Sequence, residues 1–354
     1  MSENDTRQGL TRRELGLDLV RAAACVLVLG VHFFLNSGFY DVPMTGGALL
    51  AGCMARMVCM TCVPLFLLLT GYTCIRREWS PGYYRKLAPV LLTYILAGAA
   101  CVAFRILVLG ESLSAGTVIR SFFSYDAAPY AWYIHMYIGL FLLSPFVNAA
   151  WKNLSKGGRR ALLLTLVVLT ALPGSVNRWG YILPYWWVEI YPLTYYVAGA
   201  WLREYPLKAK SWKLLLGCGA LVALTGLSGY LSAQGGSYGW MPEDNWSSWS
   251  LLIQAALIFT CLSRVKQAPR PLSWCISRLA KLSLGIYLIS WIADQLVYPR
   301  LIAAVPAAHT RVFWMPLTVL ATVTLSCLMA QVIEWARQGI TWCINKICPK
   351  AELR

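Results

Sequence analysis

The sequence contains few charged side chains, and few of those are acidic. Asp, Glu, Lys and Arg make up 13% of its 354 residues, about half of the roughly 25% typical of soluble domains. This scarcity of charge excludes an ordinary soluble domain, whose surface needs charged side chains. Histidine is scarcer still, with three residues, so chemistry that requires an imidazole has only three candidates.

Long polar stretches are also missing. Hydrophobic residues make up 58% of the chain, and the mean hydropathy is +0.57. Apolar runs of about 20 residues are long enough to cross a bilayer as helices. We therefore predict an all-α, polytopic membrane protein of about ten transmembrane helices, forming one domain over residues 1–354. The predicted spans are 15–37, 47–75, 87–109, 130–151, 160–176, 185–202, 212–233, 248–264, 279–299 and 311–334.

The basic residues are distributed unequally between the loops. With ten spans, 24 of the 31 Lys and Arg residues fall on the side that carries both termini, four fall on the opposite side and three lie within spans. Because cytoplasmic loops are the basic ones, both termini are predicted to be cytoplasmic. They form a short tail over 1–14 and an amphipathic tail over 335–354. The net charge of +16 is then mostly topological, which argues against a nucleic-acid partner.

The twelve cysteines lie mostly inside predicted spans. Cys59 and Cys62 have C-x-x-C spacing but no further ligand nearby in the sequence. Cysteine inside a membrane span usually acts as a small apolar filler. We expect no structural disulfide and no metal site.

The first predicted span nevertheless carries a polar stripe. Asp18, Arg21, Cys25, Val28 and His32 follow steps of three and four residues, so they share one helix face. Arg21 and His32 are about 16 Å apart along the axis at about 1.5 Å per residue. A charged side chain inside a span faces the helix bundle or a wet cavity, and Asp18 is placed to pair with Arg21.

Simpler interpretations exist for each polar residue. Arg21 alone could extend to the lipid headgroups, and a lone His could hydrogen-bond a neighbouring helix. The second explanation is favoured for His135, and His309 is predicted to be an ordinary surface residue. Arg56 and Arg105 are cations inside predicted spans. They either line a cavity or pair with one of the acids Glu189 and Asp294, and the sequence does not decide between these alternatives.

Five segments resemble the integral-membrane acyltransferase 3 family. The first span, "LDLVRAAACVLVLGVHF", resembles the family's first helix, in which Arg is followed by ten residues and then His. The other segments, in the family's order, are "VPLFLLLTGYTC" (63–74), "AWYIHMYIGLFLLSPFV" (131–147), "TYYVAGAWL" (194–202) and "LSLGIYLIS" (282–290). The resemblance covers most of the chain.

The resemblance implies transfer of an acyl group, usually acetyl, from cytoplasmic acyl-CoA to a hydroxyl of an exported or cell-surface carbohydrate. His32 would act as general base, with a transient acyl-imidazole as the alternative. Asp18 would hold Arg21, which would bind the anionic donor together with Arg85 and Lys86. The candidates for substrate binding are Trp132, Tyr133, Tyr287 and Ser290. Metal is not required.

The chain departs from the family pattern at three places. Thr70 replaces a usual Ser, and Ser290 stands where His is common. The family's paired arginines correspond to Arg85 and Lys86. Because lysine lacks the guanidinium fork, the role of that pair carries over only loosely.

The aromatic cluster 178–196 is explained either by stacking on sugar rings or by an interfacial aromatic belt.

Two other functions remain open at the level of sequence. One is a transporter or flippase for a small polar solute or lipid-linked sugar, with the stripe as a proton relay. The other is a membrane sensor or partner subunit without chemistry. The expected location is the cell membrane, the bacterial plasma membrane in particular, with lipids and a glycan acceptor as partners. The acyl group, the acceptor and the oligomeric state stay open.

Overall fold

A computed structural model describes residues 14–177 and 180–347 as an all-helical protein. Within these ranges the only β-structure is a pair of isolated bridges. The α-helices are α1 (Leu15–Asn36), α2 (Gly46–Cys59), α3 (Cys62–Cys74), α4 (Ala88–Leu107), α5 (Ala115–Phe123), α6 (Trp132–Asn153), α7 (Lys156–Val176), α8 (Tyr191–Glu204), α9 (Ser211–Ser232), α10 (Trp249–Ser263), α11 (Arg270–Ala304) and α12 (Met315–Ile347).

Nine helical stretches of the described chain are long and apolar enough to cross a membrane. They coincide with nine of the ten predicted spans, so the polytopic all-α class is confirmed. The exception is the span predicted at 185–202. There the structure has a 3₁₀ segment, Tyr185–Ile190, that leads directly into the 14-residue helix α8, and this stretch is not among the nine. The side on which the termini lie stays a prediction, because it depends on whether this segment crosses.

The second predicted span, 47–75, is divided into α2 and α3. The break lies at Met60 and Thr61, between the two helices. Pro64 sits in the first turn of α3 and has no backbone N–H, and its ring clashes with the carbonyl four residues earlier in a continuous helix. That carbonyl belongs to Met60, so a single proline accounts for the position of the break.

Helices α3 and α8 are in close backbone contact. A Cβ added at Gly71 would overlap the carbonyl oxygen of Tyr196, and one added at Gly199 would overlap that of Leu68. Small residues at such crossings let two helix backbones touch. The two glycines therefore fix α8 against α3, one of the helices that carry the site.

Helix α1 lies at the centre of the bundle. It packs against α11, α3, α10 and α12, and Asp18 and His32 are among its buried residues. The stripe predicted from the sequence therefore faces protein. At the other end of the chain, the tail predicted at 335–354 continues α12 without a break as far as Ile347. Residues 1–13 and 348–354 lie outside the described ranges.

Candidate functional site

A cavity of about 410 Å³ runs alongside the stripe of α1. Its walls come from α1, α3, α6 and α11, with one residue, Val90, from α4 and additional residues from the segments that connect helices. Arg21 and His32 both line it, so one continuous space connects the two residues that the sequence singled out. We call the two ends of this cavity the arginine end (Arg21 and Arg77) and the histidine end (His32 and Tyr130).

The arginine end holds two guanidinium groups. Arg21 Nη1 lies 3.3 Å from Asp18 Oδ1, and Ser277 donates a hydrogen bond of 3.3 Å to the other oxygen of Asp18. Asp18 itself does not line the cavity, so it supports Arg21 from behind, as predicted. Arg77 is the second cation in the cavity wall.

No role is predicted for Arg77 from the sequence. Thr70 and Thr73 line the cavity from α3, which ends at Cys74, and Arg77 reaches the wall from the turn that follows this helix. Arg85 and Lys86, predicted to bind the donor, lie exposed in a 3₁₀ segment, Tyr84–Leu87, and are absent from the cavity wall.

The histidine end is built around a buried His–Asp pair. His32 Nδ1 lies 3.4 Å from Asp294 Oδ2, and the Asp294 side chain is 1% exposed. Ser290 Oγ lies 3.5 Å from the same ring nitrogen. Sequence reasoning considered Asp294 only as a partner of Arg56 or Arg105. A sequence signal for this placement was available, since Tyr287, Ser290 and Asp294 follow steps of three and four on α11.

Two further side chains fix the geometry of this pair. The Tyr130 ring centroid lies 3.9 Å from that of His32, and the Tyr130 hydroxyl donates to Asp294 Oδ2 at 2.9 Å. Asn36 Nδ2 donates to the His32 backbone carbonyl at 2.8 Å and to the Tyr130 hydroxyl at 3.3 Å. The imidazole is thus held by a ring against its face and a carboxylate at Nδ1.

The predicted substrate-binding residues are brought together at the cavity, with one exception. Trp132, Tyr133 and Tyr287 line it. Ser290 lies behind the wall, fully buried, and donates to the Tyr287 carbonyl at 2.9 Å. The hydroxyl of Tyr287 donates to the backbone carbonyl of Tyr130, so both of these hydroxyl protons are already engaged.

The partners of the two other intramembrane arginines differ from the acids considered in the sequence. Arg56 Nη1 lies 3.0 Å from Asp244 Oδ2, and Arg105 Nη2 lies 2.6 Å from Glu111 Oε2. Arg105 therefore pairs with an acid just after the end of its own helix, α4. Arg56 pairs with an acid in the segment that connects α9 and α10. Neither arginine lines the cavity.

The other two histidines lie outside the cavity wall. His135 is exposed on α6, with its ring 5.5 Å from that of Tyr125, and His309 is exposed as predicted. His32 is therefore the histidine that faces the cavity.

Two of the aromatic residues that line the cavity come from a part of the chain for which no role is predicted from the sequence. No described residue of the cluster 178–196 lines the cavity; Arg178 and Trp179 lie outside the described ranges. Trp186 of this cluster is 68% exposed. The cavity is instead lined by Trp240 and Trp246, from the segment 233–248 that connects α9 and α10.

Metal ligands are not grouped in the part of the chain that the structure describes. No cluster of three or more His, Cys, Asp or Glu side chains there could hold a metal ion. Cys59 and Cys62 are both buried free thiols, and they flank the break between α2 and α3.

These features define a multi-pass membrane protein with a cavity that joins a pair of cations to a buried imidazole. A family model described as an acyltransferase domain, that of the acyltransferase 3 family, matches residues 14–331. The chain belongs to this family, and it is a membrane acyltransferase. No curated protein and no solved structure matches it.

Proposed function

We propose that this acyltransferase moves an acyl group, acetyl in particular, from a coenzyme A thioester to a hydroxyl of a cell-surface or exported carbohydrate. One observation carries the proposal. A single cavity joins two guanidinium groups at one end to a His–Asp pair at the other. A thioester donor held at the first end and a hydroxyl acceptor at the second would meet inside it.

The arginine end suits an anionic donor. Arginine binds phosphate through two parallel hydrogen bonds, and both Arg21 and Arg77 face the cavity. We assign the donor phosphates to these two residues, in place of Arg85 and Lys86. Between the ends, the wall contains apolar side chains such as Val31, Val63 and Leu284, along which the donor's extended arm would lie.

The histidine end suits activation of a hydroxyl. Asp294 faces Nδ1, which keeps the proton on that nitrogen and leaves Nε2 as the base. The acceptor oxygen attacks the thioester carbonyl while its proton passes to Nε2. The tetrahedral intermediate then collapses, the carbon–sulfur bond breaks, and the imidazolium returns the proton to the leaving sulfur, giving an ester and free coenzyme A.

Negative charge that develops on the carbonyl oxygen needs a hydrogen-bond donor. Tyr287 and Ser290 already donate to backbone carbonyls, and Tyr130 donates to Asp294. Tyr133 lines the cavity and packs against the Tyr287 ring with centroids 6.0 Å apart. We therefore assign oxyanion stabilisation to the Tyr133 hydroxyl.

The proposed location is the bacterial plasma membrane, with the arginine end on the cytoplasmic side, where acyl-CoA is made. The excess of Lys and Arg in the loops at that end supports this orientation. The acceptor would then approach the histidine end from outside, bound to the cell surface or to a lipid carrier.

The proposal is tested with purified protein in liposomes, labelled acetyl-CoA and the surface glycan fraction of the source cells. We expect label to enter glycan with the wild-type protein and with His135→Ala, whose histidine lies on the same bundle but outside the cavity. His32→Ala should insert normally and transfer no label above background. Wild-type protein that moves glycan across the bilayer without labelling it would contradict the proposal and support the transporter alternative.

A further inference from the structure

The histidine end of the cavity has a wall of indole rings. Trp132, Trp240 and Trp246 all line it. Trp132 and Trp246 are stacked, with ring centroids 4.7 Å apart and planes inclined by 17°. Trp240 lines the same end and is nevertheless 61% exposed, so it lies where the cavity meets solvent.

The segment that carries Trp240 and Trp246 is anchored by a buried ion pair. Arg56 of α2 contacts Asp244 at 3.0 Å, with both side chains 1% exposed. Arg56 Nε also donates to the Tyr40 hydroxyl at 2.7 Å, and its guanidinium lies 4.7 Å from the centroid of the Trp240 ring. A buried pair of this kind contributes little net stability but fixes position, because breaking either partner leaves an unpaired buried charge.

Further contacts hold the same segment. Tyr238 donates to both carboxylate oxygens of Asp244, at 3.2 and 3.0 Å. Burial raises the pKa of the Tyr238 phenol, and the charge of Asp244 raises it further, so the hydroxyl keeps the proton that it donates. The backbone N–H of Met44 donates to the Gly236 carbonyl at 2.9 Å. The exposed Trp240 is therefore carried by a segment that is anchored on both sides of it.

An exposed indole held in a fixed orientation is suited to packing against a flat ring. The apolar C–H faces of a sugar ring fit the electron-rich face of an aromatic side chain, and a ring held in advance loses little entropy on binding. Among the described residues, the cavity wall contains two charged side chains, Arg21 and Arg77 at the far end, and one imidazole, that of His32. Arg56 lies behind the Trp240 ring but is already paired with Asp244, so a charged acceptor group at the indoles would exchange part of its hydration for apolar ring surface without gaining a counter-charge.

We propose that Trp240 and Trp246 form the acceptor-binding surface of this enzyme, held over His32 by the Arg56–Asp244 pair, and that this surface takes an uncharged sugar ring. The inference rests on the proposed function and names the acceptor subsite within it. Trp240 and Trp246 would touch the acceptor. Arg56, Asp244 and Tyr238 would act as positioning residues, since they lie behind the indoles.

The first experiment measures KM for both substrates with the surface glycan fraction of the source cells as acceptor and acetyl-CoA as donor. We expect Trp240→Ala and Trp246→Ala to raise the acceptor KM at least tenfold and to leave the donor KM within twofold of wild type. Trp240→Phe should recover most of the loss. The matched control is Trp186→Ala, an exposed tryptophan outside the cavity, which should change neither constant.

Wild-type acceptor KM in both Ala variants would overturn the assignment of the acceptor surface while leaving the proposed function intact. Absence of transfer in the wild-type protein would instead remove the proposed function itself. A milder variant, Tyr238→Phe, keeps the ring but loses its hydrogen bonds to Asp244. It should raise the acceptor KM two- to fivefold with an unchanged donor KM; an equal change in both constants would contradict a positioning role.

The second experiment locates the transferred group by tandem mass spectrometry of the labelled glycan. We expect it on a neutral hexose, deoxyhexose or N-acetylhexosamine. Its presence on a uronic acid, a sialic acid or an amino-acid substituent would overturn the inference of an uncharged ring.

Discussion

The two ends of the cavity differ in how they hold their polar groups. At the arginine end, the Arg21 side chain is 33% exposed and its distance to Asp18 is 3.3 Å. At the histidine end, His32 and Asp294 are 7% and 1% exposed, and two more side chains fix them. Long, partly hydrated cations suit capture and release of a charged ligand, whereas a reacting group must be held in one geometry. Donor binding and chemistry are thus proposed to lie at opposite ends.

The largest expected effect separates the two ends directly. His32→Ala should lower kcat by about 10³-fold, because it removes the proposed general base. The affinity for coenzyme A, measured by calorimetry, should stay within twofold of wild type, because the arginine end is intact. An equal loss of coenzyme A binding would show that the two ends do not act separately.

Asp294→Asn addresses the histidine end without removing its imidazole. We expect kcat to fall by about 10²-fold, because the amide no longer holds the ring and its tautomer in position, and both KM values to stay near wild type. The control is Asp41→Asn, an exposed aspartate that should have no effect on kcat. Unchanged turnover in Asp294→Asn would exclude a His–Asp pair as the functional unit.

Arg77→Ala tests the arginine end. Hydrogen bonds to a charged group contribute about 1.5–3 kcal/mol each, so we expect the donor KM to rise by roughly 10- to 100-fold with an unchanged acceptor KM. Arg160→Ala, an exposed arginine outside the cavity, is the matched control. If Arg85→Ala raised the donor KM and Arg77→Ala did not, Arg85 would be the donor-binding residue, as the sequence predicts. The assignment of the donor phosphates to Arg77 would then be wrong.

The smallest expected effect comes from salt. Raising ionic strength from roughly 50 to 300 mM screens partly exposed charges, so the donor KM should rise about two- to threefold. The acceptor KM should stay constant, because the acceptor surface proposed for the histidine end has no charged contact with its substrate. A parallel rise in both constants would contradict the separation of the two ends.

Local sequence patterns predicted the helices and half of the site. In the part of the chain that the structure describes, the apolar runs located nine helical stretches that are long enough to span a membrane, because hydropathy and length are properties of contiguous residues. The span predicted at 185–202 is not among these nine stretches; there a 3₁₀ segment, Tyr185–Ile190, leads directly into α8, and whether it crosses the membrane stays a prediction. The spacing of Asp18, Arg21 and His32 predicted a shared inward face, and α1 has it.

The other half of the site depended on contacts between distant segments. Asp294 continues a helical spacing on α11 that the sequence shows, whereas Arg77 lies after the end of α3 at Cys74, where helical spacing no longer predicts which way a side chain faces. No local pattern identifies Trp240 and Trp246, because they lie in a connecting segment whose position is set by Asp244 and Arg56.

The sequence by itself determined that this protein is a helical membrane acyltransferase with a polar stripe on its first helix, since periodicity and the order of the family's segments are encoded locally. Only the tertiary structure decided which groups meet that stripe. Ser290 and His32 are 258 residues apart in the chain, and Asp294 joins them through the packing of α11 on α1. Such pairings arise from the fit of helix surfaces across the bundle, which no window along a single chain contains.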